Sequence, residues 1–114
     1  MNTILHITLA DRWTKAKNLG SYRSDTLATE GFIHCSTLAQ VVSSANRFFT
    51  GLQDVIILVI DRDRVTSEIR DEGVDPNNLF PHIYGELNID AVVKAVDLET
   101  NIDGVFIMPK ELSN

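Results

Sequence analysis

The sequence predicts a single compact α+β domain with a split, mixed or antiparallel sheet and two main helices. Three observations carry this. Helical periodicity is confined to residues 11–19 and 37–49. A six-residue apolar run, VIILVI at 55–60, reads as a central strand buried on both faces. After it come short apolar stretches divided by turn residues, so helices lie early and strands late. With 114 residues, one core and one domain spanning 1–114 are expected.

The elements follow in order. Residues 3–9, TILHITL, are β-branched and apolar and read as a strand. Residues 11–19 read as a helix, with Asp11 in its first turn and Gly20 as its stop. Residues 32–36, FIHCS, form the next predicted strand. Thr37-Leu38-Ala39-Gln40 has capping-box form. The helix it opens carries Leu38, Val41, Val42, Ala45, Phe48 and Phe49 on one stripe and ends at Gly51. Residues 54–61, DVIILVID, are the central strand. Residues 71–79, DEGVDPNNL, combine glycine, proline and paired asparagines, which predicts a loop. Residues 66–70, 81–85, 91–96 and 102–107 are further strand candidates.

Composition excludes several classes. The net charge is −6, which argues against a nucleic-acid groove. The charge is uneven: residues 1–50 hold five basic and three acidic side chains, residues 51–114 five and thirteen. A small anion is therefore better tolerated near the first half. The lone cysteine, Cys35, cannot form an intrachain disulfide and suits a reducing compartment. The longest apolar run is too short to span a bilayer as a helix. The start, MNTILHITLADRW, has no basic n-region or small-residue cleavage site. A cytoplasmic protein with no membrane partner is expected.

The chain has three histidines, and each has a hydroxyl residue two positions later: His6 and Thr8, His34 and Ser36, His82 and Tyr84. On a strand, residues i and i+2 share a face. Each strand then offers an imidazole beside a hydroxyl, with Ile7, Cys35 and Ile83 turned to the core. All three pairs are expected on one concave surface. A single such histidine would more simply be a satisfied core residue.

Three chemistries fit such a cluster. No two histidines have close metal-ligand spacing, and Cys35 points away from His34 on a regular strand, so no metal is expected. His6-Ile7-Thr8-Leu9 matches the histidine, apolar, Ser/Thr, apolar signature of two-histidine phosphoesterases, in which imidazoles exchange protons and hydroxyls hold phosphate. A nucleotide pocket is the third, with imidazoles and hydroxyls on ribose and phosphate and aromatic rings on a base. Trp13 and Tyr22 are candidates for stacking, although a lone tryptophan is more often core. Arg47 has the forked donors that clamp a phosphate, or pairs with a surface carboxylate.

GFIHCS (31–36), ANRFF (45–49) and FPHIYG (80–85), behind His6-x-Thr8 and Trp13, resemble domain-of-unknown-function family 952. Gly20-x-Tyr22 and Thr26-Leu27 resemble two further elements of that family, and the likeness covers residues 3–96. The family is in turn similar to the ADP-ribosyltransferase superfamily, in particular to the catalytic lobe of RNA 2′-phosphotransferases. His6-Ile7-Thr8, Ile33-His34-Cys35-Ser36 and Ile57-Leu58-Val59-Ile60-Asp61 stand in the order of the corresponding segments there. Ile7 departs from the glycine common at its position, and the chain has no room for an RNA-binding lobe.

The resemblance implies NAD or an ADP-ribose-like ligand in a cleft lined by His6, His34 and His82, the catalytic candidates. Thr8, Trp13, Tyr22, Ser36, Arg47 and Tyr84 are the ligand-binding candidates. It implies an ADP-ribosyl transferase or ADP-ribose-processing enzyme, with a protein acceptor left open and RNA disfavoured. Glu72, in Arg70-Asp71-Glu72, and Glu86 are the candidate carboxylates. A metal-independent phosphoesterase and a non-catalytic nucleotide-binding module are the alternatives.

Overall fold

A computed structural model describes residues 2–112, and these form three α-helices and eight strands. Strand β1 (Thr3–Leu9) runs antiparallel to β4 (Val55–Asp61), in unbroken register from Thr3 opposite Asp61 to Leu9 opposite Val55. The other edge of β4 pairs with β8 (Val92–Asp97), also antiparallel. The VIILVI run is therefore central. Its alternate side chains feed two cores: Ile56, Leu58 and Ile60 on one face, Val55, Ile57 and Val59 on the other. Burial on both faces removes any pressure for polar alternation.

A second sheet has the order β3 (Ile33–His34), β6 (Phe80–Tyr84), β5 (Glu68–Glu72). It meets the first at one bridge, where Leu5 and Ser36 exchange N–H···O bonds of 2.8 and 2.7 Å. A short ribbon pairs β2 (Ser21–Tyr22) with β7 (Leu87–Asn88). Every strand pair is antiparallel. The α+β expectation holds, with antiparallel pairing throughout.

Helix α1 (Ala10–Leu19) stops at Gly20, whose φ of 90° closes the C-terminal turn, and it buries Trp13 and Ala16. Helix α3 (Val41–Phe48) starts later than the capping-box reading expects. The Gln40 side chain does accept the Thr37 N–H at 2.9 Å, but residues 38–40 form a turn before the helix. Val41 and Ala45 are buried, whereas Leu38 and Phe48 are 45% and 68% exposed and leave the expected stripe. Helix α2 (Asp25–Glu30) was not expected. It buries no residue, so it has no apolar period to read; its only signals are Ser24 before it and Gly31, at φ 88°, after it.

Three strand expectations shift. The strand at 66–70 runs instead over Glu68–Glu72, so the 71–79 loop begins two residues late. The Thr66 N–H is taken by the Asn88 side chain at 3.0 Å and cannot join the ladder. The strand at 32–36 shrinks to Ile33–His34, with Ser36 in the bridge to β1. The strand at 102–107 is a turn. Asn101 Oδ1 accepts the N–H groups of Asp103 and Val105 at 2.9 and 3.1 Å, and Gly104 adopts φ 79°. Local Asn/Gly turn chemistry overrides the apolar spacing there.

Among the described residues, no helix is long and apolar enough to cross a membrane.

Candidate functional site

The period-2 phase holds where it was expected. Ile7, Cys35 and Ile83 are all buried. His34 and His82 are direct cross-strand partners on β3 and β6, and Arg70 of β5 lies opposite His82. Their side chains share the outer face of the second sheet. The His34 and His82 ring centroids are 5.2 Å apart, nearly perpendicular.

Three neighbours complete this face. Phe32, in the bend before β3, stacks on His82 at 4.1 Å and meets His34 edge-on at 4.7 Å. Tyr84, two residues along β6, lies 5.2 Å from Phe32. Glu72 Oε1 takes hydrogen bonds from the Tyr84 hydroxyl at 2.5 Å and from His82 Nδ1 at 2.9 Å. A carboxylate has no proton to give, so the His82 Nδ1 carries the hydrogen and the ring's Nε2 is directed elsewhere. These two bonds, Tyr84's first, hold Glu72 below the usual carboxylate range. The same contact with Glu72 raises Tyr84. Glu30, the last residue of α2, stands 3.2 Å from His34 Nε2. The Arg70 guanidinium lies 4.3 Å from the Tyr84 ring centroid and is forked onto Glu68 at 2.9 and 3.1 Å.

His6 does not join this face. It is 6% exposed and points into the core between the sheets. Its Nδ1 is 2.6 Å from the His34 carbonyl oxygen, and its Nε2 is 2.7 Å from the Tyr22 hydroxyl. That hydroxyl is 2.9 Å from Thr8 Oγ1. A carbonyl only accepts, so Nδ1 carries the hydrogen and Nε2 accepts the Tyr22 proton. Burial pushes His6 down to about 4 and Tyr22 up to about 12, so both are neutral at pH 7.

The expectation of three imidazoles on one surface is therefore corrected to two. The reason is layering: β1 is covered on both faces, whereas the second sheet leaves one face to solvent. Thr8, Tyr22, Trp13 and Ser36 are likewise buried; Tyr84 alone of the hydroxyl partners stays with the surface rings. Arg47 sits in the last turn of α3, its guanidinium 5.2 Å from the Phe48 ring centroid, and shares no contact with the histidines. Glu86 is 3.0 Å from Ser21 Oγ and 3.5 Å from Arg23, so of the two candidate carboxylates only Glu72 belongs to the histidine face.

Phe32, Glu30 and Arg70 were missed as site residues. Arg70 and Glu72 share a face as i and i+2 of β5, which the strand expected over 66–70 and the loop expected over 71–79 concealed. Glu30 depends on the unexpected helix, and Phe32 lies two residues before His34 in the strand expected over 32–36, on the His34 face by the same period.

The face is open rather than a cleft: the side chains of His34 and Glu72 are 50% and 38% exposed. Cavities of about 440 and 270 Å³ lie at residues 52–55, 98–100 and 106 and at residues 97, 99 and 107–111, away from it. Among the described residues, no three His, Cys, Asp or Glu side chains converge as metal ligands would.

The crystal structure of protein CC0527 from Caulobacter crescentus matches with a TM-score of 0.89 at 26% identity, over 99% of this chain and 100% of that one. Its solution NMR structure gives 0.78 at 28% identity, over 96% and 93%. No curated protein matches. The family model described as "Protein of unknown function (DUF952)" matches residues 7–95, a span that contains Phe32, His34, Glu72, His82 and Tyr84, and the chain belongs to that family.

Proposed function

We propose that this chain binds an NAD- or ADP-ribose-like nucleotide across the outer face of β3, β6 and β5 and processes its ADP-ribosyl group there. One observation carries the reading: a carboxylate, Glu72, is held ionised by Tyr84 and His82 beside stacked aromatic and imidazole rings. Rings of this kind stack on a base or on nicotinamide, and the imidazole edges suit ribose hydroxyls. Breaking the glycosidic C1′–N bond sends the electron pair out with nicotinamide and leaves positive charge on the ribose. Glu72 would stabilise that charge. The acceptor, a protein side chain or water, bonds to C1′ and gives its proton to His82 Nε2. In the test, ADP-ribose and NAD at millimolar concentration raise the melting temperature, and NAD is consumed with release of nicotinamide. Glu72→Gln retains ADP-ribose binding and loses turnover. No thermal shift with either nucleotide rejects the reading.

A second reading rests on the paired imidazoles. Their rings are 5.2 Å apart and each has its own carboxylate, Glu30 for His34 and Glu72 for His82. Such a pair fits proton exchange in metal-independent phosphoester cleavage. Turnover of a cyclic nucleotide phosphate without NAD selects it. Binding with no turnover of either substrate identifies a nucleotide-binding module.

A further inference from the structure

The two sheets join and then part within a few residues. Leu5 and Ser36 form a closed backbone pair. One more ladder step would set Ile7 opposite His34, but β1 and β3 do not pair there. On its other side β3 is laddered to β6, where the Cys35 N–H bonds the Pro81 carbonyl at 2.9 Å. The His34 carbonyl points back to β1 and finds a side chain, His6 Nδ1 at 2.6 Å. An imidazole thus replaces the missing peptide donor where the sheet splits.

From this geometry we infer that His6 is a positioning residue, which sets the His34 peptide from the interior and so orients the surface ring of His34 against His82. The strand it supports is only two residues long; the Cys35 N–H bond to Pro81 holds this peptide on the β6 side, and His6 holds it on the side that the β1 ladder leaves open. The His6 ring is itself fixed at its far end, because the Tyr22 hydroxyl occupies Nε2 and Thr8 backs the phenol. The His34 carbonyl, which only accepts, enforces the tautomer that donates to it: a hydrogen on Nε2 alone would leave the carbonyl facing a bare Nδ1. Buried, neutral and satisfied at both nitrogens, His6 acts on the face through a main-chain group without touching what binds there.

The inference deepens the nucleotide reading in one arm of its test and stands apart from it in the other. The first arm needs no ligand. Ring ¹H–¹³C correlations and the NOE between the His34 and His82 rings are compared in wild type, His6→Leu and His6→Asn. In His6→Leu the His34 ring signals move and the inter-ring NOE weakens. In His6→Asn the amide nitrogen takes the place of Nδ1, and both return towards wild type. The second arm titrates ADP-ribose. Affinity falls about tenfold in His6→Leu, the scale of one lost hydrogen bond, and recovers in His6→Asn. If His6→Leu does not fold, Tyr22→Phe takes its place, since it removes the bond that holds the His6 ring at Nε2 and moves the same His34 signals in the same direction. A His6→Leu protein that melts early with His34 signals unchanged makes His6 a packing residue only, as does a folded His6→Asn that restores nothing. If ADP-ribose binds none of the proteins, wild type included, the nucleotide reading fails, and the ring signals alone decide the role of His6.

Discussion

Acid should destabilise this protein through His6 well before its carboxylates titrate. The ring is buried and neutral, with its folded pKa lowered from 6.5 to about 4, first by desolvation and further by the charges of His34 and Arg12, against the bond to the His34 carbonyl. The unfolded chain protonates His6 near 6.5, while the folded chain waits until about 4. Between those values the unfolded state binds the extra proton, so stability rises with pH. The full contribution is present above 6.5, is lost as pH falls from 6.5 towards 4, and is gone below that. At 1.36 kcal/mol per pKa unit the whole window is worth about 3 kcal/mol, and about 2 kcal/mol of it is lost between pH 7 and pH 5. Urea unfolding of wild type and His6→Asn at both pH values isolates this. Glu72 and Asp71, whose pKa values are also lowered, lose stability in acid as well, but equally in both proteins. The wild type should lose about 2 kcal/mol more than the variant. Equal losses, or a His6 ring that titrates near 6.5 by NMR in the folded protein, would refute the argument.

Two further substitutions separate scaffold from surface. Ile33 is fully buried, so Ile33→Ala should cost about 2–5 kcal/mol through lost burial and the cavity left behind. His34→Ala, one residue on and half-exposed, should cost less than about 1 kcal/mol while weakening ADP-ribose binding. Denaturation midpoints paired with ligand titration show whether the two effects part in this way. Gly85 adopts φ 152°, and a Cβ there would lie 2.5 Å from Ser67 Oγ. Gly85→Ala should therefore lower stability by about 1–3 kcal/mol, and adding Ser67→Gly should recover part of it; a Gly85→Ala protein with an unchanged melting temperature contradicts the strain.

The sequence alone determined what short-range chemistry can encode. Seven β-branched and apolar residues at 3–9, a helix stopped by Gly20 and the doubly buried run at 55–60 are each written in local pattern, and each stands where it was expected. The two-residue period also told correctly that Ile7, Cys35 and Ile83 face inward. It assigned each histidine to a face of its own strand. It could not say which of those faces is wet, because that depends on what another part of the chain lays over it. The tertiary structure decided this, covering both faces of β1 and leaving one face of β3, β6 and β5 open. The same limit hid α2, which buries nothing and so leaves no period, and with it the approach of Glu30 to His34. It also hid the choice between Glu72 and Glu86, which are equivalent as residue types. Only the register of β5 against β6 brings Glu72 to His82 and Tyr84 and leaves Glu86 beside Ser21.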